Sequence, residues 1–142
     1  MQTRIENGKE QILCPWRKKW VRLTPEEWVR QQLLHRMVEQ LGYPTSLIGV
    51  EVSIEVGETH KRCDAVVYDR FMNPMILIEC KSEKVILTQR TLDQAIVYNR
   101  RLEVPYLILH NGPHTIVVDT VVERVLLYEM PPFSYFNPAP EE

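Results

Sequence analysis

The stretch Arg62-Cys63-Asp64-Ala65-Val66-Val67-Tyr68-Asp69, followed by a polar turn and then Met75-Ile76-Leu77-Ile78-Glu79-Cys80-Lys81, decides how the chain is read. Each half is a short apolar run rich in β-branched residues. Asn73-Pro74 marks a turn between them, so the pattern predicts two adjacent strands. Side chains alternate faces along a strand, which puts Glu79 and Lys81 on one face and Cys80 on the other. Two strand rises separate the Glu79 and Lys81 Cα atoms by roughly 6.6 Å, close enough for both to reach one ligand. Asp64 is expected on the face opposite Cys63, Ala65 and Val67. If that face also carries Glu79 and Lys81, three ionisable groups converge. Burying charge inside apolar strands is costly unless the charge is paired or bound to metal. The stretch therefore marks either a site or a structural ion pair at the end of a sheet.

Upstream, Thr24-Pro25-Glu26-Glu27 opens a helix, with Thr24 suited to the N-cap, Pro25 to the first turn and Glu27 to the position that bonds back to the cap amide. The helix is expected to run to about Leu41, with Gly42 ending it and Leu34, Val38 and Leu41 on its apolar stripe. Val50, Val52, Ile54 and Val56 alternate with polar residues and form the inward face of a strand. The turn at Gly57–His60 then makes a hairpin with the Arg62–Asp69 strand. Downstream, Thr88 caps a helix over about Gln89–Arg101, with Leu92, Ala95, Ile96 and Leu102 on its apolar side. Gln94 and Tyr98 stand one turn apart on one face. Val104–His110 is a short apolar strand, and strand, helix and strand in this order predict a right-handed parallel crossover. Thr115–Asp119 and Val125–Tyr128 are expected to form a closing hairpin. The fold class is therefore α/β, a mixed sheet in αβββαβ order flanked by helices.

The ordered set Pro25-Glu26-Glu27-x-Val29-Arg30-Gln31, Gly42-Tyr43-Pro44, Arg62-x-Asp64, Glu79-Cys80-Lys81 and Val104-Pro105-Tyr106 resembles a known family. Asp64 followed by Glu79-x-Lys81 is similar to the signature of the PD-(D/E)xK nuclease superfamily. The full set resembles the N-terminal nuclease domain of type I restriction enzyme restriction subunits, over about Leu23 to Gly112. The resemblance implies a restriction-endonuclease-like core and Mg2+-dependent hydrolysis of DNA, with Mn2+ as the alternative ion. In it Asp64, Glu79 and the backbone carbonyl of Cys80 hold the metal, and Lys81 is the catalytic lysine. Gln94 and Glu27 support the site, Tyr98 lies near the substrate, and Glu26 is a weaker candidate than Glu27. Glu27 keeps two readings, a capping carboxylate or a carboxylate pointing into the metal site. Gln94 and Tyr98 likewise read either as site residues or as a surface amide beside a half-buried aromatic. The superfamily's proline before the first aspartate is Cys63 here, which is tolerable because the acidic residue is what binds metal.

The remaining features bound this reading. A chain of 142 residues fits one domain, and 44% hydrophobic with 25% charged residues is a globular composition. Seventeen basic against nineteen acidic residues give a net charge of −2, which favours nucleic-acid binding only if the positive charge is clustered. Trp16-Arg17-Lys18-Lys19-Trp20-Val21-Arg22 is such a cluster. It reads either as a grip on a phosphate backbone or as an arm whose tryptophans cover the core while its cations face water. Three cysteines without CxxC spacing suggest neither zinc nor a disulfide framework, and fit a reducing cytoplasm. No signal peptide or membrane-length apolar run is present in the sequence.

Residues 1–22 are expected to be an N-terminal arm, poorly ordered over Met1–Glu10. The nuclease domain is expected at 23–129, and a Pro/aromatic-rich tail at 130–142. The 142 residues leave no room for a helicase-like motor and hold no Gly-rich phosphate loop with Lys-Ser/Thr. The expectation is a free-standing nuclease domain or part of an assembly. DNA is its expected partner, with other restriction-modification subunits and a homodimer as further arrangements. The alternative is a non-catalytic nucleic-acid-binding or subunit-docking module that keeps the fold.

Overall fold

The computed structural model describes residues 1–137; residues 138–142 of the expected tail lie outside the described residues. The chain begins with a three-stranded antiparallel sheet of β1 (Thr3–Glu6), β2 (Lys9–Cys14) and β3 (Lys19–Arg22). This corrects the expectation of a poorly ordered N-terminal segment. Asn7 and Gly8 both adopt positive φ (51° and 74°), the turn that matches the twist of a tight hairpin. Ile12 and Cys14 of β2 are fully buried, while β1 is exposed throughout.

Helix α1 (Pro25–Gln40) follows. Thr24 caps it by accepting a hydrogen bond from the Glu27 amide at 3.0 Å. The helix ends at Leu41, and Gly42 takes the left-handed conformation that helix ends favour (φ 77°). The main sheet comprises β4 (Ile48–Val56), β5 (Thr59–Tyr68), β6 (Pro74–Cys80), β7 (Tyr106–His110), β8 (Thr115–Asp119) and β9 (Arg124–Leu127), hydrogen-bonded in that order. Only the β6–β7 pairing is parallel, with Ile76 opposite Tyr106 and Cys80 opposite His110. Helix α2 (Gln89–Asn99), capped by Thr88, makes the crossover between them and ends in a 3₁₀ turn over Arg100–Leu102. The αβββαβ order is therefore present, with β8 and β9 extending the sheet as a meander. A short helix, α3 (Phe133–Phe136), packs back on the core: the Tyr43 and Phe133 rings meet edge to face at 5.3 Å, and the Tyr43 hydroxyl donates to Pro131 O at 2.9 Å.

The sheet is covered on both faces, as its apolar strands require. On one side, Val29, Leu33, Leu34 and Met37 of α1 pack with Ala65, Val67, Ile76, Ile78, Cys80 and Ile108. On the other, Leu92 and Ala95 of α2 and Leu102 pack with Cys63, Val66, Leu77, Leu107 and Leu109. The clean alternation Ile76/Leu77/Ile78 along β6 fixes the faces of the residues that follow. Cys80 enters the α1 layer, and Glu79 takes the α2 side with Leu77.

Strands β4 and β5 break that alternation. Ile48 and Val50 face α1, whereas Val52, Ile54 and Val56 face α2, so they do not share the single inward face expected from the sequence. Cys63, expected beside Ala65 and Val67, likewise sits in the α2 layer. The cause is Glu51, whose φ of 55° is a left-handed conformation costly for any residue with a Cβ, about 1–3 kcal/mol. It lies between the pairs Val50–Ala65 and Val52–Cys63, and the hairpin changes face there.

Candidate active site

Glu79 and Lys81 close β6 on the α2 side, and both line a pocket shared with Lys61 of β5 and Thr91, Gln94, Ala95 and Tyr98 of α2. The pocket lies at the carboxyl end of a parallel strand beside its crossover helix, where open α/β sheets hold their ligands. The Glu79 side chain is largely covered. Its Oε1 is paired with the Lys61 ammonium and accepts a hydrogen bond from Asn99 Nδ2 at 3.2 Å. Asn99 is fully buried and also donates to Ala95 O at 2.7 Å, so its orientation is fixed by the helix. Burial pushes the Lys61 amine below its ordinary value, against the attraction of Asp64. Lys81 is anchored by its main chain, whose N–H donates to His110 O at 2.8 Å. Gln94 and Tyr98 are exposed at the mouth of this pocket, one turn apart on α2 as expected.

Asp64 does not share that pocket. The face change at Glu51 turns it toward α1, where it lines a polar hollow with Glu26, Glu27, Arg30, Glu51 and Cys80. The main chain of Cys80 joins the two halves: Cys80 N–H donates to Asp64 Oδ2 at 2.8 Å, between Glu79 and Lys81 in sequence. The structure thus sets Asp64 against the peptide between Glu79 and Lys81 rather than on a common strand face with them. That correction follows from the broken alternation of β5.

Glu27 is the centre of a second cluster. Its carboxylate is 6% exposed and accepts hydrogen bonds from Arg17 Nη2 (2.6 Å), Gln31 Nε2 (3.1 Å) and Arg30. It does not return to the Thr24 amide, so the capping-carboxylate reading is corrected: Thr24 caps alone, and two guanidiniums claim the Glu27 side chain. Burial alone would raise the Glu27 carboxyl, but the hydrogen bonds from Arg30 and Arg17 outweigh it and hold the group below the usual carboxylate range. Arg30 also reaches Asp64, with Nη1 3.6 Å from Oδ1 and 3.5 Å from the main-chain oxygen. Glu51 lies 3.4 Å from Arg17 and 3.6 Å from Arg30. Arg30 therefore links the Glu27 carboxylate to Asp64.

Sequence reasoning missed Lys61, Asn99, Arg17, Arg30 and Glu51 as members of these clusters. Arg17 belongs to the basic segment, but it is drawn inward to Glu27, while Lys18, Lys19 and Arg22 face water. Trp16 covers the core beside His35, their rings 5.3 Å apart, and Trp20 carries the Arg4 guanidinium 4.3 Å from its ring centre.

Asp64, Glu79 and the Cys80 carbonyl are all hard oxygen donors, the type that suits Mg2+ with water completing its shell, although the two carboxylates line separate pockets on either side of the Cys80 peptide. Among the described residues no three His, Cys, Asp or Glu side chains are grouped to hold an ion by themselves, so main chain and water would have to contribute. On its donor chemistry the set fits the ion.

His110 ends β7 opposite Cys80, buried, its Nδ1 2.8 Å from Thr115 Oγ1. Burial, with Arg36 nearby, pushes its pKa down to about 4, so it is neutral at pH 7. The unfolded chain takes up a proton below about pH 6.5 while the folded chain does not until about 4. Stability should therefore fall with pH through that window by up to about 1.4 kcal/mol per unit, and level off below it. Urea unfolding at pH 7 and pH 5 checks this, with His110→Gln showing the shallower loss.

Among the described residues no helix is long and apolar enough to cross a membrane. The family model described as "Type I restriction enzyme R protein N terminus" matches residues 25–132, most of the chain. No curated protein matches. Among solved structures, a fragment described as an HsdR subunit of a type I restriction enzyme from Vibrio vulnificus YJ016 is similar, with a TM-score of 0.57 and 20% identity over 78% of this chain. The chain spans 24% of that fragment's length. A protein described as a candidate nuclease from Anabaena variabilis ATCC 29413 aligns with a TM-score of 0.49 and 10% identity, over 85% of this chain and 77% of the other.

Proposed function

We propose, since this chain belongs to the family of type I restriction enzyme R protein N termini, that it is a Mg2+-dependent nuclease domain that hydrolyses phosphodiester bonds of DNA. The observation that carries the reading is the arrangement around Cys80. Glu79 and Lys81 flank it on one face, and Asp64 is hydrogen-bonded to its amide. Asp64, Glu79 and the Cys80 carbonyl would hold the ion. The chemistry an ion held there would supply is polarisation of the scissile phosphate and a lowered pKa for a bound water. Lys81 offers a compact ammonium to the charge that develops on the phosphate oxygens. Gln94 and Tyr98 stand at the pocket mouth, where a nucleotide would enter. Glu27 is a positioning residue, acting through Arg30 on Asp64. Mn2+ satisfies the same oxygen donors. The partners that follow are DNA and other restriction-modification subunits, in a reducing cytoplasm that suits three free, buried cysteines. Cutting both strands with one such site per chain calls for two copies or two encounters.

The test is incubation of the purified protein with plasmid and single-stranded DNA in Mg2+ or Mn2+, beside a chelator control. Cutting that needs the metal supports the reading. Salt-sensitive retention of DNA with no cutting in either metal would replace it with a binding module.

A further inference from the structure

Lys61 stands three residues before Asp64 on β5, and nothing in the Asp64, Glu79, Lys81 pattern assigns it a role. Its ammonium is paired with Glu79 Oε1, lies 3.3 Å from Asn99 Oδ1, and sits 4.8 Å from the centre of the Tyr98 ring. The Lys61 side chain is 14% exposed and that of Glu79 is 17% exposed, so the pair is shielded from bulk water. The charged residues lining this pocket are Glu79, Lys61 and Lys81, one negative against two positive, while Asp64 lies across the Cys80 peptide beside Arg30. A divalent cation reaching Glu79 with both lysines in place would add to a pocket lining that is already net positive. It would also compete with an ammonium for the same Glu79 oxygen. Desolvated like charges at short range oppose each other strongly.

We infer that Lys61 is a charge gate on the ion site. Paired with Glu79, it neutralises and orders that carboxylate before an ion arrives, and it withdraws along the Tyr98 ring when a divalent cation binds. Tyr98 is 55% exposed and offers the displaced ammonium a π face at the pocket mouth. There Lys61 joins Lys81 on the side that meets substrate phosphate, so ion binding strengthens substrate binding and the reverse. Asn99, a neutral donor, keeps its bond to Glu79 in both states. The inference rests on Asp64 and Glu79 being the ion ligands.

The test is titration of Mn2+ into the full chain, followed by electron paramagnetic resonance. Melting temperatures are taken with and without Mn2+, for the parent, Lys61→Met and Lys61→Arg. Lys61→Met should bind Mn2+ about tenfold tighter or more, the equivalent of one modest charge repulsion removed. It should melt lower than the parent without metal, because Glu79 has lost its counter-charge, and gain more from Mn2+ than the parent does. Lys61→Arg should bind no tighter than the parent. If the parent binds Mn2+ and Lys61→Met binds no tighter, the gate is wrong while the nuclease reading stands. If neither binds Mn2+, the ion site falls and the gate with it. Should Lys61→Met fail to fold, Lys61→Gln is held to the same expectation.

Discussion

Lys81→Met should lower DNA cleavage by about 10²–10³-fold while leaving the fold and the melting temperature nearly unchanged. Methionine keeps most of the length and apolar stem of lysine and removes only the charge. The Lys81 main chain is held by its bond to His110 O, which the substitution does not touch. The side chain lines the pocket with Glu79 and Lys61 and forms no ion pair among the described residues, so its loss breaks no structural pair. What it removes is positive charge placed where a phosphate would gain negative charge. The check is single-turnover cleavage, which separates chemistry from product release, together with circular dichroism of both proteins. If substrate binding holds and only the rate falls, the ammonium acts in the transition state.

Arg30→Met should cost about 3–5 kcal/mol of stability, a large share of the roughly 5–15 kcal/mol that holds an ordinary domain folded. Arg30 bonds Glu27 through two of its nitrogens, approaches Asp64, and shares Glu51 with Arg17. Its removal leaves a buried carboxylate with Arg17 as its remaining cation. The double change Arg30→Met with Glu27→Leu should recover part of the loss, because the uncompensated carboxylate is gone while Arg17 keeps Glu51 at 3.4 Å. Urea unfolding of the three proteins measures both effects. The sign with pH is also set: a carboxyl held below its ordinary value stabilises the fold above that value, and the contribution is lost as pH falls through the folded one. The cleavage rate of the double variant then reports whether Asp64 still holds its place without Arg30.

The elements legible in the sequence were those with local signals. Thr24 and Thr88 cap their helices, Gly42 ends the first, and the apolar run before Glu79 is a buried strand. The sharing of a face by Glu79 and Lys81 follows from the period of a strand, and the structure has it. The three-stranded sheet at the start was hidden because β1 is exposed throughout and has no apolar alternation, although Asn7-Gly8 is a hairpin signal. The change of face at Glu51 was not legible at all. A non-glycine residue with left-handed backbone carries no mark in the sequence, and every inference about β5 depends on it. Lys61 and Cys63 fall on the α2 side as a result, and Asp64 turns toward α1. The Glu27–Arg30 pair was open to reading from its spacing of three on a helix, but Arg17 reaches it only through the tertiary fold.

In the proposed mechanism Asp64 and Glu79, on opposite sides of the Cys80 peptide, serve one ion. Cleavage rates of the parent, Asp64→Asn, Glu79→Gln and the double variant test it most directly, since residues that act as a unit are strongly non-additive. Each single variant should lose about 10²-fold or more, and the double variant should be no slower than the worse single. Losses that multiply in the double variant, or a single variant that cuts at the parent's rate, would contradict it.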